Sequence, residues 1–297
     1  MSAPVQPPEA AVRRAVSLAL EEDLLPLGDI TAALLPAGAP GRAAFVVRAE
    51  GVIAGTACLL ETCRQVDPAL SVNLLLGDGS LVTSGQAIAT VEGAMASIVT
   101  AERTALNFVS HLSGVASLTA RYVAAATARN PATRVLDTRK TTPGLRALEK
   151  AAVRAGGGWN HRGNLSEGVL VKDNHLGSAT IGEAVRRARH LWPGRMVEVE
   201  CDRIEQVSEA VAAGATIVLC DNMSPEELGR CVELARAHAG PSGNRVLIEA
   251  SGGVTLETIG AFAAAGADLV SVGALTHSAP ILDVGLDLAA EAPAGLG

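Results

Sequence analysis

Two segments of this chain nearly repeat each other: Ala212 to Val218 reads AAGATIV, and Ala264 to Val270 reads AAGADLV. Each carries an alanine-rich run into glycine and then into a short run that ends in aliphatic residues, joining a helix end to a strand start. A glycine at that junction readily takes the left-handed conformation that closes a helix. The whole stretch after Pro131 resolves into the same alternation. Strands are expected at residues 134–137, 169–172, 196–200, 216–220, 245–249 and 268–272. The helices between them have readable ends. Thr180 with Glu183, Asp202 with Glu205, and Ser224 with Pro225 and Glu227 form N-terminal capping patterns. Gly194, Gly214, Gly240 and Gly266 fall where helices stop. Repeated βα units of this length call for a parallel sheet, because right-handed crossovers return each strand beside the last. The expected class is α/β, with a C-terminal parallel α/β barrel of about six strands, open or closed.

The first part of the chain follows another rhythm. Residues 8–23 place Val12, Ala15, Val16, Leu18 and Leu20 at helical spacing. Between Arg42 and Glu92, short Val/Ile/Leu runs are cut by Gly51, Gly55, Gly77 to Gly79 and Gly85, which signals antiparallel strands around a helix near residues 58–65. Helical spacing returns from Met95 to about Arg129, with Gly114 as the expected break. The domains expected are an N-terminal α+β domain, residues 1–113, and the barrel, residues 114–275, with the tail 276–297 packing on the first.

Composition narrows the function. Nearly half the residues are hydrophobic, yet only three Phe, two Trp and one Tyr are present, so the core must be aliphatic. Scarce aromatics and a net charge of -7 argue against a nucleic-acid platform. No apolar run approaches the length of a membrane span, and the first residues lack a signal-peptide pattern, so a cytoplasmic protein without a membrane partner is expected. The five cysteines make no CxxC pair and are expected to be buried, reduced thiols.

Against that acidic background, cations concentrate in one stretch. It reads DTRKTTPGLR from Asp137, GGGWNHR from Gly156 and VKDNHL from Val171, and it contains Arg139, Lys140, His161, Arg162, Lys172 and His175. Such a concentration points to an anion site rather than a basic surface. Residues Asp137 to Lys140, Lys172, Glu200, Asp221, Glu249 to Gly253 and Ser271 to Ala274 all fall at or just past expected strand ends, the rim where parallel barrels build active sites. Arg139, His161, Arg162 and Lys172 suit a small substrate bearing carboxylates. Glu200 and Asp221 can accept hydrogen bonds from sugar hydroxyls or hold a hard cation such as magnesium. The turns Ser251-Gly252-Gly253 and Ser271-Val272-Gly273-Ala274 can offer backbone N–H groups to phosphate.

The three cationic segments, in this order and spacing, resemble quinolinate phosphoribosyltransferases, and the likeness extends from about Asp29 to Leu288. The resemblance implies transfer of phosphoribosyl from phosphoribosyl pyrophosphate to the ring nitrogen of quinolinate, with decarboxylation to nicotinate mononucleotide. It implies a quinolinate clamp of Arg139, His161, Arg162 and Lys172, joined by Arg103 from the neighbouring subunit of a homodimer. By itself the Glu102-Arg103 pair on its helix would pass for solvated surface. The resemblance further implies that Lys140 meets pyrophosphate and that Glu200 and Asp221 lie near the ribose hydroxyls and Mg2+, bound directly or through water. Ser251, Gly252 and Gly273 would contact the 5′-phosphate, and Thr138, Gly253, Val272 and Ala274 belong to the same substrate-binding segments. Lys140, Lys172, Glu200 and Asp221 are the expected catalytic residues. Glu167 stands where many relatives carry aspartate. His175 and His277 have no assigned role.

Three other readings compete. A Schiff-base aldolase would use Lys140 or Lys172, but arginines crowd both and favour salt-bridged roles. A non-catalytic barrel binding a phosphorylated metabolite would explain the glycine turns but not Glu200 and Asp221. A related phosphoribosyltransferase with another acceptor would share most of the site.

Overall fold

A computed structural model describes residues 6–177, 179–238 and 245–288. Gly240 and residues 289–297 of the tail lie outside the described residues. The chain divides into two compact units: residues 1–118, 142–157 and 278–297 form the first, and residues 119–141 and 158–277 the second.

The first unit opens with α1 (Glu9–Leu24), which buries Val12, Ala15, Val16 and Leu20. Leu18, expected on the same face, is exposed instead. Then follow β1 (Pro40–Val47), β2 (Gly51–Val52), α2 (Thr56–Val66), β3 (Ser71–Leu74), β4 (Leu81–Val82), β5 (Ala87–Ala94) and α3 (Met95–Thr127), whose residues from Thr119 on belong to the second unit. Antiparallel β1 and β5 form the centre of a four-stranded sheet, with β3 on one edge and β12 (Val284–Leu288) on the other. Phe45, Val47, Ile88, Val91, Ile98, Ala105, Leu282 and Val284 are among the residues of its aliphatic core.

Gly114 does not break α3, which runs through it without interruption. A Cβ there would fall 2.1 Å from the carbonyl oxygen of Pro280, so the glycine is there for close approach of the returning chain. A further helix, α4 (Arg146–Ala155), was not expected from the sequence. Its buried Glu149 accepts from Thr142 N–H at 3.1 Å and lies 2.9 Å from His111 Nε2 on α3.

The second unit carries six parallel strands: β6 (Arg134–Leu136), β7 (Val169–Val171), β8 (Val197–Cys201), β9 (Ile217–Asp221), β10 (Leu247–Ser251) and β11 (Leu269–Ser271). Their spatial order is β6-β11-β10-β9-β8-β7, the cyclic order of a barrel opened between β6 and β7. Trp159 lies along that open edge of β6, donating to Val135 O at 2.8 Å and accepting from Asp137 N–H at 3.1 Å. The intervening helices are α5 (Asp173–Leu176), α6 (Ile181–Leu191), α7 (Ile204–Ala213), α8 (Pro225–Ala237), α9 (Ile259–Ala264) and α10 (Ala274–His277).

The caps of α6 and α8 are those the sequence predicts. Thr180 and Ser224 accept from the N–H groups of Glu183 and Glu227, whose carboxylates accept in return. At α7 the expected Asp202–Glu205 pair is displaced by one residue. Gln206 Oε1 accepts from the N–H groups of Asp202 and Arg203, and the helix starts at Ile204. Gly214 closes α7 in the left-handed conformation. All five cysteines are free and buried, and burial pushes the thiols of Cys58 and Cys201 up to about 12. Among the described residues no helix is long and apolar enough to cross a membrane.

Candidate active site

At the C-terminal ends of the second unit's strands lies a cavity of about 570 Å³. The parallel register explains how its wall is assembled. Glu200, Leu219 and Glu249 lie in one row across β8, β9 and β10, and Asp221 and Ser251 lie in the row above. Side chains at alternate strand positions share a face, so both rows reach the cavity. Leu170 and Leu219 provide its apolar lining.

The expected cations reach this cavity from two sides of the open edge. Thr138, Arg139 and Lys140 follow β6, and Lys172 directly follows β7. His161 and Arg162 continue the segment that runs beside β6. Buried Asp137 fixes that segment by accepting from the His161 N–H at 2.9 Å. Arg162 donates from Nη1 to Gly168 O at 3.1 Å. Burial holds the Arg162 guanidinium below its usual range, neighbouring Arg139 adds to the shift, and Glu198 opposes it. Beyond Arg162, Glu167 accepts from Gly163 N–H at 2.6 Å and Asn164 Nδ2 at 2.8 Å, closing the loop.

The acids face these cations. Lys172 Nζ is ion-paired with Glu200, and Asp221 accepts from Asn222 Nδ2 at 2.8 Å. Ser251, Gly252 and Gly253 also line the cavity. Gly252 has φ +91°, and a Cβ on it would fall 2.2 Å from Asn222 Oδ1. Asn222, itself left-handed at φ 56°, donates its N–H to Ser251 O at 2.9 Å, so the turn is built on this asparagine.

Eleven of the expected site residues therefore line one cavity: Thr138, Arg139, Lys140, His161, Arg162, Lys172, Glu200, Asp221, Ser251, Gly252 and Gly253. Val272, Gly273 and Ala274 are not in that lining. Gly273 nevertheless packs against Lys140: a Cβ on it would meet Lys140 Cδ at 3.3 Å, and Thr276 Oγ1 donates to Lys140 O at 2.8 Å. Neither glycine turn leads into a long helix. The Gly253 turn is separated from α9 by five residues, 254–258, and α10 spans only four residues. Arg103 belongs to the first unit, its side chain two-thirds exposed. His175 uses Nδ1 to accept from the Lys172 N–H at 3.1 Å, which ties it to the backbone of that lysine.

Sequence reasoning did not assign Glu198, Glu249 or Asn222. Glu249 is fully buried, and its carboxylate oxygens make no hydrogen bond of good geometry, the Ser271 side chain being the hydroxyl that acts on it. Burial, with Glu198 second, pushes its carboxyl up to about 8 against the opposing effect of His161. His161 Nε2 lies 2.9 Å from Glu198 Oε2 and 3.9 Å from Glu249 Oε1. Among the described residues these three form the one His/acid group whose ligand atoms lie within 4.8 Å of one another, a spacing compatible with a metal ion. The signal for Glu198 was the period-two pattern VEVE in β8, which puts it on the same face as Glu200.

Models of the quinolinate phosphoribosyl transferase N-terminal and C-terminal domains match residues 29–113 and 115–287 of this chain. The chain belongs to the quinolinate phosphoribosyl transferase family. Within this family it is 42% identical over 282 residues to a Mycobacterium leprae protein named nicotinate-nucleotide pyrophosphorylase [carboxylating], covering 94% of this chain and 97% of that one. A Bacillus subtilis protein named as a probable enzyme of the same kind is 39% identical over 264 residues, 88% of each. The structure of the nicotinate-nucleotide pyrophosphorylase from Francisella tularensis superposes with a TM-score of 0.89 at 37% identity, covering 96% of this chain and 98% of that one. The quinolinate phosphoribosyl transferase fold expected from the sequence, a six-stranded parallel sheet with helices and a separate antiparallel sheet, is the fold observed.

Proposed function

We propose that this chain transfers phosphoribosyl from phosphoribosyl pyrophosphate to quinolinate with loss of carbon dioxide, giving nicotinate mononucleotide and pyrophosphate. Beyond family membership, the observation that carries this reading is a single cavity pairing Arg139, His161, Arg162 and Lys172 with Glu200, Asp221 and the Ser251–Gly253 turn.

In this reading these four side chains hold the two carboxylates of quinolinate, with guanidinium forks matched to carboxylate geometry. The ribose lies along Glu200 and Asp221, with its 5′-phosphate toward Ser251, Gly252 and Gly253. The ring nitrogen attacks C1 of the ribose as the C1–O bond to pyrophosphate breaks, and the departing oxygen keeps the electron pair. Positive charge grows on the ribose in that step, so nearby carboxylates stabilise the transition state more than the ground state. Lys140 balances the charge of the leaving group. In the second step the ring nitrogen is cationic and stabilises the electron pair left on the adjacent carbon when carbon dioxide departs. That carbon then takes up a proton.

Glu200 and Asp221 fit Mg2+ of a particular kind. Two carboxylates on neighbouring strands, one already ion-paired with Lys172, make too small a cage for a protein-held ion. They suit one that arrives on substrate phosphates and keeps its waters. The ion would supply charge neutralisation at the pyrophosphate.

The aldolase alternative requires a lysine free to attack a carbonyl, whereas Lys172 is ion-paired with Glu200. For Arg103, its exposure on α3 supports a role in the site of a neighbouring subunit of a homodimer. A protein acting in the cytoplasm on soluble substrates completes the reading. Incubation with quinolinate, phosphoribosyl pyrophosphate and magnesium tests it by release of carbon dioxide and formation of nicotinate mononucleotide. Absence of both products would refute it.

A further inference from the structure

Two carboxylates inside an aliphatic barrel are costly, and the strands that carry them do not require them. Glu198 on β8 and Glu249 on β10 are both buried, and three of their four carboxylate oxygens make no hydrogen bond of good geometry. Leucine at either position would bury more apolar surface without desolvating a polar group. Glu198 Oε2 lies 2.9 Å from Nε2 of His161, and the Glu249 carboxylate lies 3.9 Å from the same nitrogen. Glu198 also offsets the effect of Arg139 on Arg162. The acids thus converge behind the residues assigned to the quinolinate clamp, while Glu200 and Asp221 face the ribose side.

A clamp of partly buried cations repels itself until a dianionic ligand arrives. A buried counter-charge behind it lowers that repulsion without occupying the ligand's place. A carboxylate accepting from one ring nitrogen also fixes the orientation and proton position of a histidine. We infer that Glu198 is a positioning residue for the quinolinate end of the site, holding the ring of His161 and balancing the charge of Arg162, while Glu249 backs the same ring nitrogen without adding charge. The inference rests on the proposed function and adds to it the residues that pre-organise the carboxylate clamp.

The same three side chains could be considered a cation site. The Nε2–Oε2 separation, however, is that of a direct hydrogen bond, and Arg162 already supplies positive charge beside Glu198. Positioning accounts for both observations.

The experiment compares Glu198→Gln, Glu198→Leu and Glu249→Gln with the wild-type protein, measuring KM for each substrate, kcat and Tm. Wild-type turnover of quinolinate is the control, and its absence would fail the proposed function rather than this inference. Glu198→Leu is expected to melt at or above the wild-type temperature while raising KM for quinolinate by about tenfold or more, the worth of a charge-assisted hydrogen bond. KM for phosphoribosyl pyrophosphate should stay within about twofold, since its assigned contacts lie elsewhere. Glu198→Gln keeps an acceptor for His161 without the charge and should recover part of the loss. Glu249→Gln, at a longer distance, should have a smaller effect that is non-additive with Glu198→Gln. Should Glu198→Leu not fold, the two glutamine variants carry the comparison alone. Equal changes in both KM values, a normal KM for quinolinate in the Glu198 variants, or a stoichiometric metal ion lost from Glu249→Gln would each overturn the inference.

Discussion

The ammonium group of Lys172, directly after β7, is ion-paired with the carboxylate of Glu200 on the neighbouring strand β8. A cation assigned to quinolinate is thus held, before substrate arrives, by an acid assigned to the ribose. Under these assignments, binding quinolinate draws the lysine away from Glu200 and frees the acid for the sugar. Glu200→Gln should separate these effects. Turnover should fall by about 10²–10³-fold, the usual worth of one electrostatic group aimed at a transition state. Binding of quinolinate alone, measured by calorimetry, should tighten by about two- to fivefold, the worth of a partly exposed ion pair. Weaker binding would mean that the pair pre-organises Lys172 rather than competing with the ligand.

Arg162 is partly buried and feels the charge of Arg139, so its contribution depends on an anion between or near them. Arg162→Ala should raise KM for quinolinate by about 10–100-fold and leave KM for phosphoribosyl pyrophosphate nearly unchanged. Arg162→Lys should recover only part of this loss, because the ammonium keeps the charge without the fork. Steady-state kinetics with each substrate varied in turn would decide, and parallel rises in both constants would remove Arg162 from the clamp.

Gly252 leaves no room for a side chain: its φ is +91°, and its missing Cβ would overlap Asn222 Oδ1. Gly252→Ala must displace the turn at a cost of about 1–3 kcal/mol. If that cost falls on substrate binding, KM for phosphoribosyl pyrophosphate rises by about five- to 150-fold. Quinolinate binding by calorimetry should be unaffected. An unchanged KM for phosphoribosyl pyrophosphate would separate this turn from the phosphate.

Arg103 lies two-thirds exposed on α3 of the first unit, while the other assigned clamp residues line the cavity of the second. If Arg103 serves a neighbouring subunit, Arg103→Ala and Lys172→Ala chains, each inactive alone, should regain activity when mixed. A dimer with one intact site of two would recover at most about a quarter of wild-type activity after random exchange of subunits. Hybrids shown to form without any recovery would count against the shared site.

The barrel was legible because βα repeats announce themselves twice over, in the capping pairs at Thr180 and Ser224 and in glycines such as Gly214. Strand ends were legible to within a residue or two: Asp221 and Ser251, expected just past their strands, are the last residues of β9 and β10. The cations were visible because they stand out against an acidic chain. Gly114 misled because its role is not local: it makes room for Pro280, far along the chain, inside an intact helix. Glu249 was placed on the rim at its strand end but given no role, and Glu198 escaped for a related reason. A glutamate within a short strand reads as solvent-facing until register turns it inward. Asn222 could be seen only once its left-handed backbone and its contact with Gly252 were known.

Glu249 gives the fold a specific dependence on pH. Burial, joined by repulsion from Glu198, lifts its carboxyl from the ordinary glutamate value of 4.5 to about 8. Between these two values the folded chain keeps a proton that the unfolded chain has released. Unfolding therefore releases that proton, and the native state loses stability as pH rises through the window, levelling off above about pH 8. Glu249→Gln cannot titrate and should escape this loss. Its Tm relative to wild type should increase steadily from pH 5 to pH 8 and then hold constant, with about 2–4 °C gained for each kcal/mol recovered. Scanning calorimetry of both proteins across that range provides the measurement. A Tm difference that stays flat with pH would mean that Glu249 ionises in the folded protein as readily as in the unfolded chain, and that burial is offset by contacts to its carboxylate.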